Sequence, residues 1–283
     1  MDIAERILAA GFDRVIALDG GECGIAEPAL VLAVMTYAAE ETPAAEDAWI
    51  HPYYPASQRA YRAAAALAAE IPGLSLRPDI RVKPVFARRP GLRQGLNTLS
   101  YLPDCGSRFH VQIFTFDRPL PPGAHLLSDN QPLHCGSCRR CMDACPGGAI
   151  RPDGFHRERC LRFWQLNGRP VPPDLRPLMG SRLIGCDDCQ RCCPHNPAPG
   201  APAGAPFPLK TLLARPKEAA RLLADRIGAN LALPNRLLNQ ACVLAACGRR
   251  ADLLPELEAL EGHPSRTVAE SAAEARRVIE GGD

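Results

Sequence analysis

The stretch that decides the fold of this chain's centre is Cys135-Gly-Ser-Cys138-Arg-Arg-Cys141-Met-Asp-Ala-Cys145-Pro146. Its cysteines are spaced C-x2-C-x2-C-x3-C, and proline follows the last one at once. Thiolates at this spacing are ligands of iron–sulfur clusters, and the fourth cysteine of such a run ligates a second cluster. The stretch therefore predicts two [4Fe-4S] clusters in a ferredoxin-like arrangement and a further set of cysteines downstream.

A second cysteine-rich stretch supplies that set, and it is Cys186-Asp-Asp-Cys189-Gln-Arg-Cys192-Cys193-Pro194. Cys189 and Cys193 match the last two cysteines of the first stretch, because three residues separate them and proline follows. In this register the second stretch lacks its middle cysteine, and Cys160, between the two stretches, takes its place.

This register assigns four cysteines to each cluster. One cluster is held by Cys135, Cys138, Cys141 and Cys193, and the other by Cys145, Cys160, Cys186 and Cys189. Cys192 is left over, and we interpret it as a packed spare thiol, with a role as an alternative ligand as the less favoured interpretation. Zinc is the other metal to weigh, since two C-x2-C pairs can form a zinc ribbon. Zinc needs only four ligands and no Cys-Pro ending, so the pattern favours clusters.

The composition sets wider bounds. The chain has 283 residues, 46% of them hydrophobic, and 13 cysteines. No apolar run reaches the roughly 18 residues expected of a membrane span. The first six residues carry two acids before any apolar stretch, which argues against a secretory signal and for the cytoplasm. Clustered cysteines in a cytoplasmic protein indicate metal binding rather than disulfides. The net charge of +2 does not by itself predict nucleic-acid binding.

The pattern of apolar residues predicts an α+β protein in several parts. We expect an N-terminal α/β domain over residues 1–125, a ferredoxin-like double-cluster domain with a Pro/Gly/Ala-rich linker over 126–208, and a helical tail over 209–283. In the first domain, periodicity predicts a helix from Ile3 that stops near Gly11. Further predictions there are strands at 15–18 and 30–34, a helix at 58–71, and a strand at 109–113 with one buried face.

The tail shows paired helices. Asn235 is the predicted cap of a helix running to Cys247, a leucine stripe covers residues 253–260, and Ser265 is the predicted cap of a last helix that ends at Ile279. Short antiparallel helices of this kind resemble a HEAT-type repeat.

Other residues carry weaker signals. Asp187 and Asp188 either tune a cluster or form part of a cofactor pocket, or are simply a solvated pair. Phe163 and Trp164 follow Cys160, and we expect them to shield a cluster from water. Cys23 is expected on a flexible loop; the remaining helical cysteines, Cys242 and Cys247, are expected in the core.

Between Cys135 and Asn196 the chain resembles the epoxyqueuosine reductase family. The resemblance rests on the two cysteine-rich stretches and on the segments Arg157-Glu-Arg-Cys160, Leu175-Arg-Pro-Leu-Met-Gly180 and Ile184-Gly-Cys-Asp-Asp-Cys189-Gln190. It implies an α/β cobalamin-binding domain joined to a two-cluster domain. It also implies reduction of epoxyqueuosine in tRNA to queuosine, with electrons passing from the clusters to cobalamin.

The chain departs from the family pattern in its N-terminal half. The family's proton-donor aspartate has a Val-Asp-Ser/Thr-Ala-Pro context, and the aligned stretch Ile80-Arg81-Val82-Lys83-Pro84 places Arg81 at that position. Arginine cannot donate a proton at neutral pH. Asp79 is a weak substitute, because on a strand it would share a face with Arg81. The family's glycine-rich stretch is reduced to Gly91-Leu-Arg-Gln-Gly95, and roughly forty N-terminal residues of the family pattern are missing.

Three functions are compatible with these residues. The leading hypothesis is a two-cluster oxidoreductase of the epoxyqueuosine reductase type, acting on tRNA or on a different substrate, with a ferredoxin or flavodoxin as electron donor. The second is a ferredoxin-like electron carrier that serves a partner enzyme and performs no chemistry itself. The third is a binding module with structural clusters, in which tail arginines would contact phosphates.

Overall fold

The structure, a computed structural model, describes residues 2–38, 47–87, 93–102, 105–120, 135–198 and 206–281. In chain order its helices and strands begin with α1 (Ile3–Ala9), β1 (Arg14–Asp19), α2 (Gly20–Cys23), β2 (Ala29–Thr36), β3 (Trp49–Ile50), α3 (Tyr53–Glu70), β4 (Leu74–Leu76), α4 (Val82–Ala87), β5 (Arg93–Gln94), β6 (Ser100–Tyr101) and β7 (Phe109–Phe116). They continue with α5 (Arg140–Asp143), β8 (Ile150–Arg151), β9 (Gly154–Phe155), α6 (Leu161–Leu166), β10 (Arg182–Ile184), α7 (Asp188–Arg191), α8 (Leu209–Ala214), α9 (Pro216–Ile227), α10 (Pro234–Cys247), α11 (Leu254–Leu260) and α12 (Arg266–Ile279).

The chain divides into two compact units. The first consists of Met1–Ala39, Pro55–Arg139 and Cys193–Ala198. The second consists of Glu40–Tyr54, Arg140–Cys192 and Pro199–Asp283. The predicted boundary between residues 125 and 126 and most of the predicted linker lie outside the described residues, so the three-part division stays a prediction.

The first unit is built on a four-stranded sheet in the order β1-β2-β7-β4. β2 is buried along nearly its whole length, and its side chains alternate between two cores. Val31 and Ala33 pack with apolar residues of α1 and α3 on one face. Leu30 and Leu32 pack on the other face with Phe109. Burial on both faces explains why this strand is a continuous apolar run.

All pairings in this sheet are antiparallel, which differs from the predicted α/β domain. The connection from β1 to β2 spans only residues 20–28, and a parallel crossover needs roughly a dozen residues or more. The predicted strand at 109–113 exists as β7, and over these residues the expectation of one buried face is confirmed, because Phe109 and Ile113 are buried in one core while His110 and Gln112 are half-buried. Beyond the predicted range, Phe114 is buried on the opposite face.

The second unit has a helical core. Residues of α8, α9, α10, α11 and α12 pack together with those of β10 and α6. The predicted helices end where expected, at Cys247 and Ile279. Asn235 is not the cap of α10, because the helix begins at Pro234 after Leu233, and proline suits the first helical turn since it has no N–H to satisfy. Ser265 precedes α12 but makes no capping bond through its side chain.

Two further expectations concern local structure. Cys23 was expected on a flexible loop, and this was wrong, since it ends the helical turn α2. The Asp19 side chain caps that turn by accepting the N–H of Glu22 at 2.9 Å, and Gly24 ends it with a φ of 74°. Among the described residues, no helix is long and apolar enough to cross a membrane.

Candidate iron–sulfur centre

The loop that carries Cys186 and Cys189 is held by a buried glutamine. Gln165 of α6 is fully buried, its Nε2 donates to the carbonyl oxygen of Arg182 at 3.0 Å, and its Oε1 accepts the N–H of Gly185 at 2.7 Å. One side chain thus ties the first residue of β10 to Gly185, where the loop begins. Both cysteines therefore project from a backbone of defined shape, as a metal site requires.

Four cysteines of the second unit lie near one another. Cys189 lies within electrostatic range of Cys186, Cys160, Cys145 and Cys141, and Cys160 lies within range of Cys145. None of them is paired in a disulfide. Cys145, Cys160, Cys186 and Cys189 are the set that the sequence assigned to one cluster. Cys141, assigned to the other cluster, reaches the same neighbourhood because α5 and α7 are in contact. Within the described part of the chain, no three Cys, His, Asp or Glu side chains form a group that would hold a single metal ion.

Backbone N–H groups point at the sulfur atoms of this set. The N–H of Ala149 lies 3.2 Å from Cys145 Sγ. Backbone hydrogen bonds from Phe163 and Arg162 reach Cys160, and one from Asp188 reaches Cys186. N–H donors of this kind stabilise negative charge on sulfur, so the loops suit thiolates.

Burial disfavours the ionised form of these cysteines when no metal is bound. It is the largest cause of the raised pKa values of Cys160, Cys186 and Cys189, and neighbouring acidic and thiol groups add to it. Clustered thiols that resist ionisation become stable thiolates when iron neutralises their charge. The donor set and its N–H groups therefore fit an iron–sulfur cluster.

Asp187 and Asp188 are not a solvated pair. Asp187 is buried, with His51 Nε2 3.8 Å and Arg191 Nε 3.6 Å from its carboxylate. Asp188 accepts from Arg182 at 3.0 and 3.1 Å and from Arg191 at 2.7 Å. These ion pairs fold the arginines onto the loop, and they place positive charge beside the thiols.

In the first unit, Cys135 and Cys138 lie in a turn where the N–H of Cys138 donates to the carbonyl of Cys135 at 2.8 Å. Cys193 accepts a hydrogen bond from the hydroxyl of Tyr101, whose oxygen lies 3.4 Å from its sulfur. Burial, and then this contact, raise the pKa of Tyr101 well above its usual range, so the phenol keeps its proton.

Cys192 lies beside Cys189, one of the predicted ligands. It ends α7, and its Sγ lies 3.6 Å from the carbonyl oxygen of Cys189, to which the thiol donates. Of the other cysteines, Cys242 is buried in α10 as predicted, and burial raises its pKa to about 12. Cys247, also in α10, is half-buried, and its thiol donates to the carbonyl of Arg176 at 3.0 Å.

The candidate acid residues lie on a turn, not on the strand that the sequence suggested. Residues 78–81 form a turn that leads into α4, so Asp79 and Arg81 do not share a strand face. The Asp79 carboxylate accepts two hydrogen bonds from Arg77, at 2.9 and 2.8 Å, and these hold its pKa below the usual range. Asp79 is therefore ionised at neutral pH and poorly suited to donate a proton. Gly91, the first glycine of the reduced glycine-rich stretch, lies outside the described residues.

The aromatic pair after Cys160 packs edge to face, with ring centroids 5.2 Å apart. Trp164 Nε1 donates to the carbonyl of Glu158 at 2.7 Å, and Trp164 packs against the core of the second unit. Their shielding of a cluster stays a prediction.

Comparison with known proteins agrees with the cysteine pattern. Residues 134–196 match the 4Fe-4S double cluster binding domain family. An epoxyqueuosine reductase of Alicycliphilus denitrificans is 42% identical over 114 residues, which cover 39% of this chain and 30% of that relative. The chain resembles the epoxyqueuosine reductases. The match supports two [4Fe-4S] clusters as the cofactors of this segment.

Solved structures of epoxyqueuosine reductases share the fold. The enzyme from Bacillus subtilis, in a structure with its catalytic aspartate loop swung out of the active site, has a TM-score of 0.71 at 21% identity, over 97% of this chain and 88% of that chain. A crystal structure of epoxyqueuosine reductase with an epoxyqueuosine-modified tRNA-Tyr stem loop has a TM-score of 0.73 at 20% identity, with the same coverage. The likeness shows a mixed helix and sheet fold. The HEAT-like character of the tail stays a prediction.

The likeness in sequence to curated epoxyqueuosine reductases is partial, because the chain spans less than a third of the length of the first relatives it matches. Within the matched segment, the sequence pattern identified the cysteines but missed Gln165 and Arg182, which shape the loop. It also missed Tyr101, outside the cysteine-rich stretches. No motif marks these three residues, since each is defined by a contact to a distant part of the chain.

Proposed function

We propose that this chain is a two-cluster iron–sulfur oxidoreductase of the epoxyqueuosine reductase type, which reduces epoxyqueuosine in tRNA to queuosine in the cytoplasm. The observation that carries the proposal is the grouping of Cys145, Cys160, Cys186 and Cys189, with backbone N–H groups aimed at the sulfurs of the first three. The sequence likeness to epoxyqueuosine reductases over the same segment supports it. When bound, the clusters would supply single electrons.

The ligand assignment is part of this proposal. Cys145, Cys160, Cys186 and Cys189 would hold one cluster, and Cys135, Cys138, Cys141 and Cys193 the other. The hydrogen bond from the Cys192 thiol to the Cys189 carbonyl supports its role as a spare thiol. The ion pairs of Asp187 and Asp188 would keep the cluster loop in shape. A ferredoxin or a flavodoxin would serve as the electron donor.

Cobalamin enters the proposal through the family resemblance. We propose to test it by titrating the anaerobically reconstituted protein with cob(II)alamin and following the cobalt signal by electron paramagnetic resonance. Stoichiometric binding with an altered signal supports the oxidoreductase. No change at saturating cobalamin favours the alternative below.

The alternative is an electron carrier that serves a partner enzyme. The observation that favours it is the bidentate pairing of Asp79 with Arg77, together with Arg81 at the position of the family's acid, because epoxide opening needs a proton donor. An assay with purified protein, cobalamin, dithionite and a tRNA stem loop that contains epoxyqueuosine separates the two functions. Formation of queuosine supports the oxidoreductase and excludes a pure carrier; no product from protein with full iron content supports the carrier.

A further inference from the structure

Within the sheet-bearing unit, Tyr101 contacts one predicted cluster ligand. Its ring is only 4% exposed, at the end of β6, and its hydroxyl oxygen lies 3.4 Å from Cys193 Sγ. The rings of Tyr101 and His195 pack edge to face, with ring centroids 6.4 Å apart. Tyr101, Cys193 and His195 all belong to the first unit, so this contact is internal to it.

The direction of the hydrogen bond is fixed by its neighbours. The N–H of Leu99 donates to Asn97 Oδ1 at 3.2 Å, which turns Asn97 Nδ2 toward Tyr101. Nδ2 then donates to the Tyr101 hydroxyl oxygen at 2.9 Å. That oxygen also accepts a hydrogen bond from the Ser107 side chain. Because it accepts from both Asn97 and Ser107, its own hydrogen points to Cys193, and the phenol serves as a donor to sulfur.

The backbone on both sides of the contact is built for close approach. A Cβ on Gly95 would lie 2.7 Å from Tyr101 Cε2 and 2.8 Å from Asn97 Oδ1, so glycine leaves room for both side chains. On the other side, Asn196 Oδ1 accepts the N–H of Ser107 at 2.7 Å, which anchors the segment that follows Cys193. The separation of the phenol oxygen and the sulfur is thus set from both ends.

We propose that Tyr101 is a positioning residue that raises the reduction potential of the cluster held by Cys193, through its hydrogen bond to the ligand sulfur. This rests on the proposed two-cluster function. Reduction adds one electron, and therefore one negative charge, to the cluster and its thiolates. A donor to a ligand sulfur stabilises this added charge and favours the reduced state.

The test is an anaerobic redox titration of the reconstituted protein with dithionite and mediators, followed by electron paramagnetic resonance. Y101F removes the donor and keeps the ring. We expect unchanged iron content and a more negative potential for one cluster only. A shift of 59 mV corresponds to an about tenfold lower ratio of reduced to oxidised cluster at a fixed potential, for one electron.

The cluster whose potential shifts should be the one that is lost in C193A. Y61F, at an exposed tyrosine of α3, is the matched control and should leave both potentials unchanged.

N97A keeps the test open if Y101F assembles poorly. It leaves the phenol in place but removes one of the two groups that orient it, so the same cluster should shift in the same direction by a smaller amount. If Y101F with full iron content has the same two reduction potentials as wild type, the inference about Tyr101 is wrong, while the proposed two-cluster function stands. A wild-type chain that takes up zinc but no iron would overturn the function itself, and the inference with it.

Discussion

Gly185 lies directly against His51, so that a Cβ added to Gly185 would be 2.2 Å from His51 Cβ. Gly185 also has a φ of 101°, in the region that side chains disfavour. The contact sets the path of the chain one residue before Cys186. His51 is itself fixed, because its Nδ1 accepts the N–H of Tyr53 at 3.1 Å and its Nε2 faces Asp187. The loop that bears Cys186 and Cys189 is therefore shaped by sterics as well as by hydrogen bonds.

The first prediction separates these two effects of Gly185. G168A is the matched control, since Gly168 has a φ of 70° but nothing within 4 Å of its added Cβ. We expect G168A to lower the free energy of unfolding by about 1–2 kcal/mol through backbone strain alone. G185A should lose about 1–3 kcal/mol more, because the methyl group must displace His51. Urea unfolding under anaerobic conditions measures both. Equal losses in the two variants would contradict the steric role of His51.

A second prediction concerns Gln165. Q165A leaves the N–H of Gly185 and the carbonyl of Arg182 without their side-chain partner in a buried site, and each such group costs about 1–3 kcal/mol. The variant should unfold at lower urea concentration and release iron faster to a chelator. Q112A is the control, because Gln112 is half-buried on β7, outside the cluster loop, and its Nε2 lies 3.0 Å from His110 Nε2. Similar iron release from both variants would contradict a role for Gln165 in holding the cluster loop.

The third prediction distinguishes the adjacent cysteines of the second stretch. Two clusters correspond to about eight irons per chain. C189A and C193A should each fall to about four, through loss of different clusters, while C192A should retain about eight. C242A changes a buried thiol in α10 and controls for a general loss of stability. Iron and sulfide analysis after anaerobic reconstitution measures the result. About four irons in C192A with eight in C193A would reverse the assignment.

Local patterns predicted much of this structure because they depend on short-range chemistry. The spacing of the cysteines, the periodicity of Ile3 and Ile7 in α1, and the stop at Gly11 each follow from residues a few positions apart. The end of α10 at Cys247 was found in the same way. Its start was not, because Asn235 and Pro234 both suit a helix N-terminus, and the proline at the first helical position decided the boundary.

Contacts between distant residues could not be predicted from one sequence. Tyr101 and Cys193 are 92 positions apart, and Gln165 and Gly185 are 20 apart. Neither pair has a recurring motif, since the partners meet only after the sheet and the helices have packed. Asp187 shows the same limit: an acidic pair in a polar loop suggests solvent exposure, whereas burial with His51 and Arg191 depends on the tertiary fold.

The last prediction uses His110 on β7, whose pKa burial lowers to about 4. Its ordinary value is 6.5. Between these values the unfolded chain binds a proton that the folded chain does not, so falling pH destabilises the fold. The contribution is complete above pH 6.5 and is lost as the pH falls toward 4. From pH 7 to pH 5 this residue should remove about 2 kcal/mol of unfolding free energy.

H110Q tests this, because glutamine is polar and uncharged at any of these pH values and can still contact Gln112, which lies 3.0 Å from His110 Nε2. Anaerobic urea unfolding at pH 8, 7 and 5 gives the comparison. Wild type should lose about 2 kcal/mol more than H110Q between pH 7 and 5, and the two proteins should respond alike between pH 8 and 7. If the unfolding free energies of wild type and H110Q fall by equal amounts between pH 7 and 5, His110 takes up its proton in the folded protein as readily as in the unfolded chain. Burial of His110 on β7 would then carry no electrostatic cost.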